Sequence, residues 1–408
     1  MAREMRDSGI EWVGAKPATW QVALASQVFS QVKCKNTGLV EQNLLSLSYG
    51  KIKRKSIDTT AGLLPESFDG YNIIERDDIV LRLTDLQNDH KSLRVGRTTE
   101  RGIITSAYLS IRPSKNHDSQ FLYYYLHSFD ICKGLYGMGS GVRQGLNWDD
   151  IKRLQILVPP QSEQQQIASF LDRKCAEIDS VIADTQRTIE EYKKLKQTII
   201  TEAVTKGIRG ERPMKDSGIQ GIGDIPEEWN TVGLKFLCRM QSGKNITSEM
   251  IADEGAYPVY GGNGLRGYYS EYNTEGEYLL VGRQGALCGN VHHVAGQFWA
   301  TEHAVVTTPT MLADIDFLYY LLIGMNLNQY ANNTAAQPGL AVGQIQNVRT
   351  CFVPLAEQQE IASYLNKKCA EIEKLIAGKT HLLEQLESYK KSVIYEYVTG
   401  KKEVPACQ

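Results

Sequence analysis

This chain contains itself twice, and that duplication limits what it can fold into more than any other property. Asp7-Ser8-Gly9-Ile10, followed by Gly14, Pro17 and Trp20, returns as Asp216-Ser217-Gly218-Ile219 with Gly223, Pro226 and Trp229, an offset of 209. A second motif runs from Pro160 through Glu163-Gln164-Gln165, Ile167-Ala168-Ser169-Phe170-Leu171 and Lys174-Cys175-Ala176-Glu177-Ile178. It returns 194 residues later as Pro354, Glu357-Gln358-Gln359, Ile361-Ala362-Ser363-Tyr364-Leu365 and Lys368-Cys369-Ala370-Glu371-Ile372. The order is head, body, tail, head, body, tail. A solenoid needs three or more units to bury a continuous core. Two copies predict a folded pair about a pseudo-twofold axis.

Each tail reads as one long helix. Leu171, Lys174, Ile178, Val181, Thr185, Thr188, Tyr192, Leu195 and Ile199 fall at heptad positions a and d. The second copy places Leu365, Lys368, Ile372, Leu375, Lys379, Leu382, Leu386, Tyr389 and Val393 there. Ile182, Ile189, Ile376 and Leu383 at e positions widen both stripes toward a bundle face. Proline precedes each helix and Gly207 and Gly400 follow, as start and stop signals do. Such helices span roughly 60 Å. Matched stripes in one chain predict intramolecular pairing; a dimerisation coil between two molecules is the other reading. Glu191-Tyr192-Lys193-Lys194 best matches Glu387-Ser388-Tyr389-Lys390-Lys391 with a three-residue slip, which predicts that the helices lose equivalence there.

The bodies are mixed, giving an α+β class. Residues 79–81, 103–104 and 108–111 read as short strands, as do 278–281 and 304–306. The aromatic runs 121–126 and 317–322 match at offset 196, as do Thr105 with Thr301 and Pro113 with Pro309. Between Trp20 and Thr105 the second body is 13 residues shorter, and between Leu126 and Gly145 it loses two relative to the first. Whatever distinguishes the halves should lie in those stretches.

The familiar catalytic signatures are missing: no phosphate loop, strand-linked GxGxxG, HExxH or GxSxG. Gly137, Gly139, Gly141 and Gly145 follow the aromatic helix and not a strand, so they read as a loop. Cys288, His292, His293 and His303 have ligand chemistry but match no compact zinc spacing. Asp77-Asp78 and Asp149-Asp150 read as solvated turns. The eight cysteines show no CxxC pair; with a charged N-terminus lacking an apolar stretch, the expectation is a cytoplasmic protein with reduced thiols and no membrane association.

What the bodies offer is hydrogen-bonding side chains beside aromatics and glycines. The first has Tyr49, Lys51, Lys53, Arg54, Lys55, Arg82, Gln87, Asn88, Arg94, Arg97, Arg143 and Gln144. The second has Tyr260, Asn263, Arg266, Arg283, Gln284, His292, His293 and Gln337. Basic residues suit guanine edges and phosphates, and amides suit adenine edges. The overall charge is only −2, but residues 21–158 carry 18 Lys and Arg against 14 Asp and Glu, while 230–352 carry 6 against 9. Any nucleic-acid contact is therefore local, with partners supplying much of the phosphate contact.

These motifs resemble the specificity subunits of type I restriction-modification systems, over essentially the whole chain. The heads and tails above carry the resemblance, as do Ser48-Tyr49-Gly50, 81–87 and 102–108 in the first body, and 257–264 and 281–286 in the second. It implies heads at 1–20 and 208–229, target-recognition domains at 21–160 and 230–354, long antiparallel helices forming an intramolecular coiled coil at 161–207 and 355–400, and a short tail at 401–408. It further implies a non-catalytic subunit that binds an asymmetric, bipartite double-stranded DNA target, one half-site per domain, with the helices setting the spacer. Two methyltransferase subunits and up to two restriction-translocase subunits would assemble on it. S-adenosylmethionine, ATP and magnesium would be bound by those partners, and no cofactor or metal by this chain. A coiled-coil scaffold that binds proteins without DNA specificity is the alternative from another class.

Overall fold

In a computed structural model, describing residues 3–56, 67–138, 145–285, 288–331 and 339–405, each head is a two-stranded hairpin. Met5–Asp7 pairs with Ala15–Pro17, and Met214–Asp216 with Asp224–Pro226, in one shared register. The repeated residues make the turn. Gly9 N donates to Asp7 Oδ1 at 3.2 Å, Ile10 N donates to Ser8 Oγ at 3.0 Å, and Gly9 takes a φ of +71°. Gly218 and Ile219 repeat both bonds, at 3.0 and 3.1 Å. Asp and Ser side chains mimic backbone turns in this way, and glycine takes the left-handed conformation without steric cost.

The tails are the helices Gln161–Lys206 and Leu355–Val398. Their Glu-Gln starts fasten other parts of the chain. Glu163 accepts from Trp20 Nε1 at 2.9 Å and from Arg3 Nη2 at 2.6 Å, and the Arg3 guanidinium lies 5.1 Å from the Trp20 ring centre. Gln164 accepts from Asp118 N at 2.9 Å and donates to the Pro159 carbonyl at 2.9 Å, tying the long helix to the start of the aromatic helix Ser119–Ile131. In the second copy Glu357 accepts from Trp229 Nε1 at 2.9 Å, Arg212 lies 5.0 Å from that ring centre, and Gln358 accepts from Asp314 N at 2.8 Å before the helix Ile315–Gly324.

Contacts divide the chain into two units that cut across sequence order: Met1–Thr185 with Leu382–Gln408, and Gln186–His381. Each therefore contains one head, one body, the start of one long helix and the end of the other. In the first unit Phe170 packs on Tyr397, ring centres 4.5 Å apart, and Lys390 Nζ donates to Asp179 Oδ1 at 2.6 Å. Rising numbers on one helix meet falling numbers on the other, so the segments are antiparallel. In the second unit Lys196 Nζ reaches Glu373 Oε1 at 2.5 Å and Arg209 pairs with Glu360 at 2.9 Å, again antiparallel. Lys196 with Lys390, and Asp179 with Glu373, keep the offset of 194. The expected three-residue slip is therefore not adopted. A three-residue shift would turn each stripe about 60° off its partner and break both ion pairs. Each unit has its own core, joining Trp20, Phe121, Leu171 and Val398 in one and Trp229, Phe317, Leu365 and Val204 in the other.

Both bodies use the same strand frame. The first orders Phe29–Gln31, Leu109–Pro113, Ile79–Leu81 and Val95–Arg97. The second orders Cys238–Ser242, Ala304–Pro309, Thr274–Gly282 and Val291–Ala300, then adds Tyr257–Gly261 and Gly264–Tyr269. Pro113 faces Phe29 as Pro309 faces Cys238, and Ile79 faces Arg97 as Leu279 faces His293. These registers place four residues of the length difference between Leu81 and Val95, and the rest ahead of Ile79. In the first body Asn72–Ile74 pairs with Gly102–Ile104 as a separate ladder, where the second body runs continuously from Thr274 to Gly282 against Val291–Ala300. The interruption lies at Asp77 and Asp78. Asp77 does turn, with φ +77°, but Asp78 is wholly buried and accepts two hydrogen bonds from Arg112, at 2.7 and 2.8 Å. Only half of that pair is the solvated turn expected. Among the described residues, no helix is long and apolar enough to cross a membrane.

Candidate nucleic-acid interface

Each body carries a β-hairpin whose tip abuts the loop that follows a central strand. In the first body, strands Leu45–Ser48 and Lys51–Arg54 are joined by Tyr49 and Gly50, with φ of +48° and +74°. Two left-handed residues make the turn that matches strand twist, and glycine is the usual occupant. Tyr49 is therefore strained, and it is 78% exposed. Backbone strain held at an exposed aromatic is a mark of functional sites. Lys51, Lys53 and Arg54 are exposed along the second strand. Arg54 pairs with Glu100, Lys55 is half-buried, and among the described residues Lys51 and Lys53 enter no ion pair. A Cβ on Gly50 would lie 3.1 Å from Leu93, so the tip packs against the end of the 82–94 loop.

That loop presents Gln87 and Asn88 outward, with Asn88 held by Asp85 Oδ1 at 2.8 Å and a half-buried Arg82 ion-paired to Asp89 at 3.4 Å. Hydrogen bonds from Ser92 and Lys91 hold the Asp89 carboxyl down at about 2, aided by the charge of Arg82. Arg94 corrects the sequence reading. It is 0% exposed, and its guanidinium donates to the carbonyls of Arg82, Thr84, Asp85 and Asp89 and to Tyr136 Oη. All five N–H donors of an arginine are thereby used, and none remains for DNA.

In the second body the tip is Gly262-Asn263, between Gly261 and Gly264. A Cβ on Gly262 would lie 2.9 Å from the His303 carbonyl and 3.4 Å from Gly282, which lets the tip sit directly on the loop after Val281. Asn263, Arg266, Arg283 and Gln284 are exposed around an open cleft of about 460 Å³ that Gly261 to Arg266 line with Gln284, Gly285 and His303. Tyr260 is half-buried, edge-on to Phe298 at 5.6 Å. His292 lies beneath Gly264; its Nε2 is buried without a partner, and burial lowers its pKa. Arg82 and Arg283 are not counterparts: Arg82 N bonds Arg94 O as Gly282 N bonds Asn290 O, which aligns Arg82 with Gly282.

Two other predicted contacts stand apart from the tips. Arg97 and His293 occupy equivalent strand positions and turn to the aromatic helix, Arg97 to Ser119 Oγ at 2.7 Å and His293 to Asp316 at 3.6 Å, and each also meets an acid outside that helix, Asp77 and Glu277. Arg143, Gln144 and Gln337 lie outside the described residues. Cys288 Sγ faces Asn328 Oδ1 at 3.7 Å, and among the described residues no three potential His, Cys, Asp or Glu ligands converge on a metal position. The sequence reading missed Asn290, which bonds Asn263 Oδ1 at 3.2 Å and fixes tip to loop. It also missed a cleft of about 440 Å³ in the first unit, where Arg76, Arg97, Arg112 and Lys115 alternate with Asp77, Asp78 and Asp118. A 196 offset through Val95 and Val291 would have pointed to Asn290; in the cleft, Arg97 is paired with Asp77 and Arg112 with Asp78.

A family profile described as the type I restriction modification DNA specificity domain matches residues 94–191 and 226–385, well over half of the chain. The chain belongs to that family. Within it, the chain is 48% identical over 136 residues to the EcoprrI specificity subunit of Escherichia coli, covering 32% of this chain and 33% of that one. It is 24% identical over 413 residues to the MjaVIII specificity subunit of Methanocaldococcus jannaschii, covering 94% and 93%. The chain thus spans a third of the first relative's length and nearly all of the second's. Among solved structures, a chain described under complex assembly and conformational transition of the type I R-M system superposes with a TM-score of 0.71 at 15% identity, covering 95% of this chain and 99% of that one. The HsdS subunit from Thermoanaerobacter tengcongensis gives 0.50 at 15% identity, covering 95% and 98%. These structures share the fold of the specificity family.

Proposed function

We propose that this chain is the DNA-recognition subunit of a type I restriction-modification complex and takes no catalytic part. Each body reads one half of an asymmetric, bipartite target in double-stranded DNA, and the long helices set the spacing. The observation that carries this reading is a shared strand frame bearing unlike tips and loops: Tyr49 and Lys51 with Gln87 on one, Asn263 and Arg266 with Gln284 on the other. Like frames suit like partners, and unlike tips suit unlike half-sites. Two methyltransferase subunits would dock on the repeated heads and tails, with up to two restriction-translocase subunits joining in the cytoplasm. Methyl transfer from S-adenosylmethionine and magnesium-ATP-driven translocation belong to those partners.

The test is reconstitution with the methyltransferase subunits and mapping of methylated positions across a genomic DNA. One split, asymmetric motif is expected. Replacing residues 21–158 by another such body should change one half-site and leave the other. A complex that methylates without sequence preference overturns the reading.

A further inference from the structure

The loop between Leu81 and Val95 is four residues longer than its counterpart between Val281 and Val291, and it is folded around one buried side chain. The Arg94 guanidinium donates to the carbonyls of Arg82 at 3.2 Å, Thr84 at 2.7 Å, Asp85 at 3.1 Å and Asp89 at 2.6 Å. Its Nε donates to Tyr136 Oη at 2.9 Å, and that hydroxyl donates to the Asp89 carbonyl at 3.1 Å. The Arg94 amide donates to Asp130 Oδ2 at 2.6 Å. Asp130 stands on the last turn of the aromatic helix, which runs 13 residues here against 10 in the second body. The longer helix and the longer loop are thus joined through Arg94. In the second body that position is Asn290, exposed and bonded to the hairpin tip instead.

A loop whose carbonyls converge on a buried cation turns its side chains outward. Thr84, Asp85, Gln87, Asn88, His90 and Lys91 are the exposed ones. Asp85 is held at φ +58°, a conformation uncommon for a residue with a side chain. Such a loop is ordered before any ligand arrives, which cuts the entropy that recognition by a mobile loop would cost. We infer that Arg94 is a positioning residue for specificity: its guanidinium holds the 82–93 loop in the shape that reads the first body's half-site, without itself touching DNA. This rests on the DNA-recognition reading above.

The experiment uses the chain assembled with its methyltransferase subunits, on two DNA libraries in which each half-site is randomised in turn. Arg94→Lys keeps the charge but cannot reach four carbonyls, and Tyr136→Phe removes only the hydroxyl that links Arg94 to Asp89. Both variants should lose on the order of tenfold or more discrimination at the first body's half-site, the scale of one mismatched base pair. Discrimination at the second body's half-site should not change. A purely structural role would lower the yield of assembled complex and methylation at both half-sites in proportion. An assembled Arg94→Lys complex that keeps wild-type discrimination at both half-sites overturns the inference; where Arg94→Lys does not assemble, an assembled Tyr136→Phe complex that keeps it does so. A wild-type complex with no preference at either half-site would instead sink the underlying reading.

Discussion

The indole nitrogen of Trp20 donates to the carboxylate of Glu163 across 143 residues of chain, and Trp229 does the same with Glu357. The two bonds are equal in length but differ in setting. Glu163 keeps 24% of its side chain exposed, Glu357 only 2%. Arg212 Nη1 lies 2.8 Å from Glu357 Oε1 without the alignment of a hydrogen bond, so that oxygen leans on the guanidinium charge alone. Glu357→Gln should therefore destabilise the protein by about 3 kcal/mol and Glu163→Gln by about 1 kcal/mol, within the range for losing a charged partner. Denaturant unfolding with tryptophan fluorescence measures both; equal losses would contradict the burial argument.

Lys51 and Lys53 stand exposed on one strand of the first hairpin, and among the described residues neither enters an ion pair. Replacing either by Ala should weaken DNA binding similarly on all sequences and lower the slope of log K against log salt by about 1. Fluorescence anisotropy over a salt series reads the slope. A change of preferred sequence would assign base contact instead.

Gln284→Ala and Asn263→Ala should alter one half-site only. Each removes an amide beside the cleft, and a lost bidentate contact costs about 1–3 kcal/mol of discrimination. Asn263→Ala also frees Asn290 from its tip contact, so it should disturb more base positions than Gln284→Ala. Methylation profiling on randomised half-sites distinguishes the two.

His127 is buried on the aromatic helix, stacked 5.5 Å from Tyr123, and burial with the charge of Lys390 lowers its pKa to about 4. Between pH 6.5 and 4 the unfolded chain binds a proton that the folded chain refuses, so stability falls as pH drops through that window. The loss is on the order of 3 kcal/mol. His127→Phe should flatten the pH dependence of unfolding between those values; an unchanged curve would place the acid sensitivity elsewhere.

The sequence repeats made heads, tails and frame strands legible because each repeated residue has a local duty: Asp7 and Ser8 close a turn, Gln164 fastens a helix start. Side-chain destination was less legible. Arg94 and Arg82 look alike in a row of basic residues, yet one fills the interior of a loop and the other its flank. What separates them is the pairing of Ile79–Leu81 with Val95–Arg97, which no residue count along the chain displays. Asp78 was misread for the same reason, since its partner Arg112 lies on another strand.

The bond from Arg82 N to Arg94 O and that from Gly282 N to Asn290 O clasp the ends of the two unlike loops at the same rungs of the ladder. The loops between those rungs differ in length, interior and outward face, and outside them the first loop is braced by Asp130 and Tyr136. Such clasps act as graft points, so a new preference could be acquired by exchanging about a dozen residues and the helix turn that braces them.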